Sequence, residues 1–234
     1  MFVQDTTSER IASLSHPSFF SVAVRQELLL RLLTHLELRD VDLRSHSERV
    51  CSLAVSIACH MGLDESDLVW LQVAAMLHDV GKLHVSPKIL DKPRRLNRRE
   101  IHLVRFHPVR GEQILREQGL PEIACQAVRS HHECYDGRGY PDGLTAEAIP
   151  LFARILRVAD AYDAMTVDRP YRTALSPRAA SRRLRTQAGK HFDPRVVECF
   201  LESAETGDEG LAWREDQEHD ARPAQPFASM AAAR

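Results

Sequence analysis

The chain has 234 residues, a formal net charge of −2, 44% hydrophobic and 27% charged residues. That length suits one substantial core with appendages and falls short of two full domains. The balanced charge excludes long nucleic acid as an expected partner, and no apolar run approaches the length of a bilayer span, so no membrane insertion is expected either.

In chain order, Phe20 to Leu38 repeats apolar residues at helical spacing, with Val24, Leu28, Leu32 and Leu36 along one face. This predicts a short helix that packs on the main domain or on a partner. Ahead of it, Met1 is followed by polar Gln4-Asp5-Thr6-Thr7-Ser8-Glu9, unlike a signal peptide with a basic leader, and a cytoplasmic protein is expected. Val41 to Met61 reads as a second helix whose buried stripe runs through Val50, Leu53, Ala54 and Ile57, with His46 at its end. Asp64 is a good N-cap for a third, through Leu68, Leu71, Ala75 and His78, which Gly81 is expected to stop.

A basic connection follows, with Lys92, Arg94, Arg95, Arg98 and Arg99. Such a run is a solvated face or a route for small anions. Glu100 to Phe106 reads as a helix ended by His107-Pro108, and Pro108 starts the next. Pro121 opens a helix with Ala124, Ala127, Val128 and His131 on one face. Leu151 to Thr166 is helical and sets Asp160 and Asp163 one turn apart on one side. Ser176-Pro177 and Asp193-Pro194 begin the last two helices. No stretch alternates as a strand does, so the expected fold is all-α. Residues 1–40 are expected to be an N-terminal helical segment, 41–204 the main domain and 205–234 a disordered acidic, then Ala/Pro-rich, tail.

The five cysteines form no C-x-x-C pair and are odd in number, against both a zinc ribbon and a disulfide framework. The chemistry lies in histidines and carboxylates. His46, His78, Asp79, His107, His131, His132 and Asp160 all fall at helix ends or on buried faces. An isolated His-Asp pair carries little weight, but a set of this size suits two metals that share one carboxylate. Mixed imidazole and carboxylate ligation suits iron, manganese or zinc, and the lack of thiolates points away from structural zinc.

These residues stand in stretches that together resemble the HD-GYP family. This is the branch of the HD phosphohydrolase superfamily that hydrolyses the bacterial second messenger cyclic di-GMP. The matching stretches are His46-Ser47-Glu48-Arg49-Val50, Leu77-His78-Asp79-Val80-Gly81-Lys82, His107-Pro108-Val109-Arg110-Gly111, His131-His132-Glu133 with Asp136-Gly137-Arg138-Gly139-Tyr140-Pro141, and Ile155 to Arg172. The resemblance implies an HD-domain helical bundle in which His46, His78, Asp79 and Asp160 surround one metal. It places His107, His131 and His132 around a second, with Asp79 bridging. It leaves open a third metal near Asp42, where some members carry a glutamate. Lys82 and Asp79 are the implied catalytic groups, and Lys82, Gly139, Tyr140, Asp163, Arg169 and Arg172 the implied substrate contacts. The ring of Tyr140 is equally open to a packing role under the Pro turn.

The implied cofactors are two divalent metals, iron or manganese. The implied reaction is attack of a metal-bridging hydroxide on phosphorus, giving pGpG and then GMP. Cys134-Tyr135 departs from the Arg-Trp common in the family, and no core ligand is lost. Two other readings stay open: a cyclic-dinucleotide sensing or docking module with little catalysis, and an HD phosphohydrolase acting on another nucleotide. The Phe20 to Leu38 helix is the candidate interface for a homodimer or signalling partner.

Overall fold

The computed structural model describes residue 34 and residues 41–168 and 173–205, excluding the side chains of Val41, Asp42 and Glu205. Apart from Thr34, the expected Phe20 to Leu38 helix lies outside the described residues, as do the tail beyond residue 205, Arg169, Arg172 and the side chain of Asp42.

Among the described residues the fold is helical, with isolated β-bridges Asp136–Thr145 and Ala188–Phe192 and no strand. The α-helices are α1 (Val41–His60), α2 (Glu65–Leu77), α3 (Pro87–Leu90), α4 (Arg98–Arg105), α5 (His107–Glu117), α6 (Glu122–Ser130), α7 (Leu151–Thr166), α8 (Pro177–Gln187) and α9 (Pro194–Glu205). Short 3₁₀ turns span Val80–His84 and Ala146–Ala148. None of these helices is long and apolar enough to cross a membrane.

The centre of the bundle is α7, which packs against α1, α2, α6, α8 and α9. Its Phe152, Ile155, Leu156, Val158 and Met165 are buried, and so are Ala153, Ala159 and Ala161. The alanines let neighbouring backbones approach, and each buried large aliphatic side chain contributes about 1.5–3 kcal/mol by leaving water. The stripe expected on α1 is buried at Val50, Leu53, Ala54 and Ile57. On α2 it is Leu71, Ala74, Ala75 and Leu77.

Helix starts follow the expected chemistry. The Asp64 carboxylate accepts from the Asp67 amide at 2.9 Å, and the Ser176 hydroxyl accepts from the Ala179 amide at 3.3 Å. Of the boundaries that differ from the sequence expectation, two have a plain physical reason. Helix α4 begins at Arg98, because Asn97 and Glu100 form a reciprocal capping box that starts it two residues earlier. Helix α2 ends at Leu77, before Gly81. Gly81 lies in the following 3₁₀ turn, where an added Cβ would stand 1.9 Å from the His107 carbonyl oxygen and 2.6 Å from the Gly111 amide nitrogen. Its part is close packing: it lets the turn that carries Lys82 lie directly on α5.

Candidate metal centre

Five parts of the chain meet at one place, three of them at helix ends. His46 lies in the second turn of α1, His78 caps the C-terminal end of α2, and Asp79 and Lys82 occupy the turn that follows. His107 is the first residue of α5, His131 and His132 follow α6, and Asp160 projects from α7. Adjacent helix residues diverge by about 100°, so His78-Asp79 and His131-His132 can converge only because their helices have stopped.

One atom each of His46, His78 and Asp79 lie within 4.8 Å of one another, and so do atoms of Asp79, His107, His131 and His132. Asp79 belongs to both groups. His46 Nε2 is also 3.4 Å from Asp160 Oδ1.

The imidazole tautomers follow from their outer partners. The Nδ1 of His78 meets the Ala75 carbonyl at 2.7 Å, that of His107 the Val104 carbonyl at 2.8 Å, and that of His131 the Val128 carbonyl at 2.7 Å. A carbonyl only accepts, so each Nδ1 carries the proton and each neutral Nε2 presents a lone pair. His46 is anchored likewise, its Nδ1 donating to Asp163 Oδ2 at 2.7 Å.

Lone pairs therefore face one another. His46 Nε2 and His78 Nε2 are 3.3 Å apart, as are His107 Nε2 and His131 Nε2. His78 Nε2 is 3.5 Å from Asp79 Oδ2, and His107 Nε2 is 3.1 Å from Asp79 Oδ1. Asp79 Oδ1 and His132 Nδ1 are buried without a hydrogen-bond partner. Acceptors crowded in this way repel unless a cation lies among them. Ligand bonds of about 2.0–2.2 Å at angles of 90–110° place donor atoms about 3.0–3.5 Å apart, the spacing seen here. The residues present fit divalent metal.

Electrostatics favour the ligand forms. Burial pushes the imidazoles of His78, His131 and His132 below their ordinary range, keeping them neutral. Burial opposes ionisation of Asp79, yet the Lys82 ammonium bonded to Oδ2 holds its carboxyl well below the usual range.

For Asp163 the arrangement differs from the expected substrate contact. Its carboxylate is buried, and both oxygens are occupied by His46 Nδ1 and the Arg49 guanidinium. Those bonds outweigh burial and lower its pKa. Arg49 stands in a matching stretch without an expected role; its position one turn after His46 is the signal that points to it.

Around His132, the Tyr140 ring stacks at 4.9 Å with the planes 28° apart, and the Arg105 guanidinium carbon lies 5.0 Å from the Tyr140 ring centre. The loop between them is clamped by Glu133, whose Oε1 accepts from the amides of Asp142 at 2.7 Å and Gly143 at 3.0 Å. Gly139 is required by contact: a Cβ there would stand 2.2 Å from the Cys134 amide nitrogen and 2.4 Å from Glu133 Cα. Glu133 stands in a matching stretch without an expected role, and Arg105 and the buried Arg157, which donates to Cys134 Sγ at 3.8 Å, carry no sequence signal of a part in the site.

The family model described as "HD domain" matches residues 31–196. The chain is 39% identical over 178 residues to the cyclic di-GMP phosphodiesterase response regulator RpfG of Xanthomonas campestris pv. campestris (strain 8004), covering 75% of this chain and 47% of that protein. It is 38% identical over 167 residues to a cyclic di-GMP phosphodiesterase of Thermotoga maritima, covering 70% and 45%. To the 3'3'-cGAMP-specific phosphodiesterase 3 of Vibrio cholerae it is 39% identical over 155 residues, covering 66% and 33%. The chain thus spans about half the length, or less, of these curated relatives.

Among solved structures, the cyclic GMP-AMP-specific phosphodiesterase V-cGAP3 of V. cholerae superposes with a TM-score of 0.62 at 23% identity, covering 79% of this chain and 49% of that one. The PgpH HD domain of L. monocytogenes in complex with cyclic-di-AMP gives 0.56 at 16% identity, covering 80% and 100%. These likenesses show a shared fold.

Proposed function

The chain belongs to the HD domain family, in its HD-GYP branch, and from that premise we propose that it is a metal-dependent phosphodiesterase hydrolysing cyclic di-GMP. The observation that carries the reading is the set of facing imidazole lone pairs around a shared, buried Asp79. Relatives named as cyclic di-GMP phosphodiesterases support the substrate.

In this reading His46, His78, Asp79 and Asp160 would hold one divalent ion, and Asp79, His107, His131 and His132 a second. Neutral imidazoles with carboxylates and no thiolate favour iron or manganese. Such ions supply Lewis-acid polarisation of the phosphoryl group and activation of water. Lys82 keeps Asp79 ionised and offsets charge beside the phosphate. Asp163, with Arg49 behind it, fixes the tautomer and aim of His46. Tyr140 packs His132 in place, and Gly139 lets the loop lie close to the ligand. Arg169 and Arg172 are proposed as phosphate contacts, since a planar guanidinium donates two hydrogen bonds at once.

The reaction adds water across a P–O3′ bond. Phosphorus gains the water oxygen, the 3′ oxygen departs with a proton, and pGpG results; a second round gives GMP. Manganese-reconstituted protein incubated with cyclic di-GMP should yield pGpG or GMP on chromatography. Fully metallated protein that binds the nucleotide and leaves it intact would favour a sensing module. A second reading, hydrolysis of 3'3'-cGAMP, is favoured by the 39% identity to a phosphodiesterase named for that substrate. Side-by-side turnover of the two nucleotides decides it.

A further inference from the structure

Beside the metal-ligand cluster lies a cation that the reaction as described does not use. Arg105, at the end of α4, is exposed, and its guanidinium carbon is 5.0 Å from the centre of the Tyr140 ring. Tyr140 in turn stacks on His132, so the guanidinium stands one ring away from a residue of the buried cluster. The main chain makes a second link, because the Val104 carbonyl, next to Arg105, anchors His107 Nδ1.

Other cations nearby are engaged. Lys92 pairs with Glu100, Arg110 bonds Gln113, and Arg129 is held by Glu112 and Asp142. No acidic side chain among the described residues pairs with Arg105. Exposed Arg98 and His102 stand seven and three residues before it, which places them on its face of α4. Arg98 and Arg105 therefore put two exposed cations on that face of α4. A guanidinium steadied against an aromatic ring keeps its N–H donors for another partner, and its planar fork matches a phosphate.

Resting on the reading of a cyclic dinucleotide substrate, we propose that Arg105 recognises the phosphate that is not being cleaved. A cyclic dinucleotide carries two phosphodiesters in one closed ring. While one is at the buried cluster, the ring holds the other close by and displaced from it. Arg105 is placed to receive that second anion, so its effect falls on binding of the whole ring.

The test compares Arg105→Ala and Arg105→Lys with the wild-type protein, all manganese-reconstituted, on cyclic di-GMP and on bis(4-nitrophenyl) phosphate, which has one phosphodiester and no second phosphate. Arg105→Ala should raise KM for cyclic di-GMP about tenfold or more, the scale of a lost charge-assisted hydrogen bond, with kcat changed far less. Arg105→Lys should recover only part, because it keeps the charge and loses the fork. The loss on the small diester should be several times smaller. A KM for cyclic di-GMP within about twofold of wild type, or an equal loss on both substrates, would overturn the assignment of Arg105 while leaving the hydrolase reading intact. Wild-type protein that turns over the small diester but not cyclic di-GMP would instead reject the substrate, and this inference with it.

Discussion

The two halves of the cluster share Asp79 and each has a buried histidine anchored by a backbone carbonyl, but they differ in exposure and in ligand charge. In the first, His46 and Asp160 have side chains 13% and 16% exposed, and His46 is held by a charged pair, Asp163 with Arg49. In the second, His107, His131 and His132 are buried, and the first two are anchored by backbone carbonyls. The first half brings a second carboxylate, Asp160, which can offset the charge of a divalent ion. The second brings neutral imidazoles only, with the cations Arg157 and Arg105 close enough to act on His132 or its neighbour Tyr140. Ligand charge, more than ligand number, should therefore separate the two. We expect the His46 half to hold its metal more tightly and the His107 half to lose its metal first.

The largest effect belongs to the residue both halves share. Asp79→Ala should remove both metals and lower hydrolysis by about a thousandfold or more, with helical content by circular dichroism kept. A variant that retains one tightly bound metal would show the halves to be independent. Next, graded chelation should release metal in two steps, with activity lost in the first; a single step would erase the asymmetry. Asp163→Asn should weaken metal binding about 10- to 100-fold in the first half only, the usual scale for an outer partner of a metal-binding histidine. Metal content after dialysis reads this out.

Acid sharpens the contrast in the metal-free protein. Burial lowers the pKa of His78, His131 and His132, so below the ordinary imidazole value of about 6.5 the unfolded chain takes up protons that the folded chain refuses. Stability should be fully present above that value and fall as the pH drops through it. Melting in chelator at pH 8 and pH 5.5 measures this, and an unchanged midpoint would contradict it. The smallest effect lies outside both halves: Asn97→Ala removes one member of the α4 capping box and should cost about 1 kcal/mol, read as a small drop in melting temperature.

How far these features were legible in the sequence depended on range. Helix periodicity and caps such as Asp64 and Ser176 are local, and they gave the order of elements. The His/Asp motifs gave the residues that the structure brings together, because each marks a helix end or lies on the inward face of a helix. The family resemblance implies a substrate contact at Asp163. That its oxygens are taken by His46 and Arg49, on a helix more than a hundred residues earlier, is a tertiary fact with no local signal. Gly81 was read as a helix stop, the commonest local meaning of glycine, although its reason is the backbone of α5 lying against it. Arg105 was passed over because its contact with Tyr140 joins two separate elements.

The most direct test of the shared-carboxylate centre is a count of metal per chain in protein purified anaerobically. Two equivalents of iron or manganese, falling to none in Asp79→Ala, is the result predicted by facing lone pairs around one shared carboxylate. A metal-free wild-type protein that also fails to take up two equivalents of added manganese would contradict it.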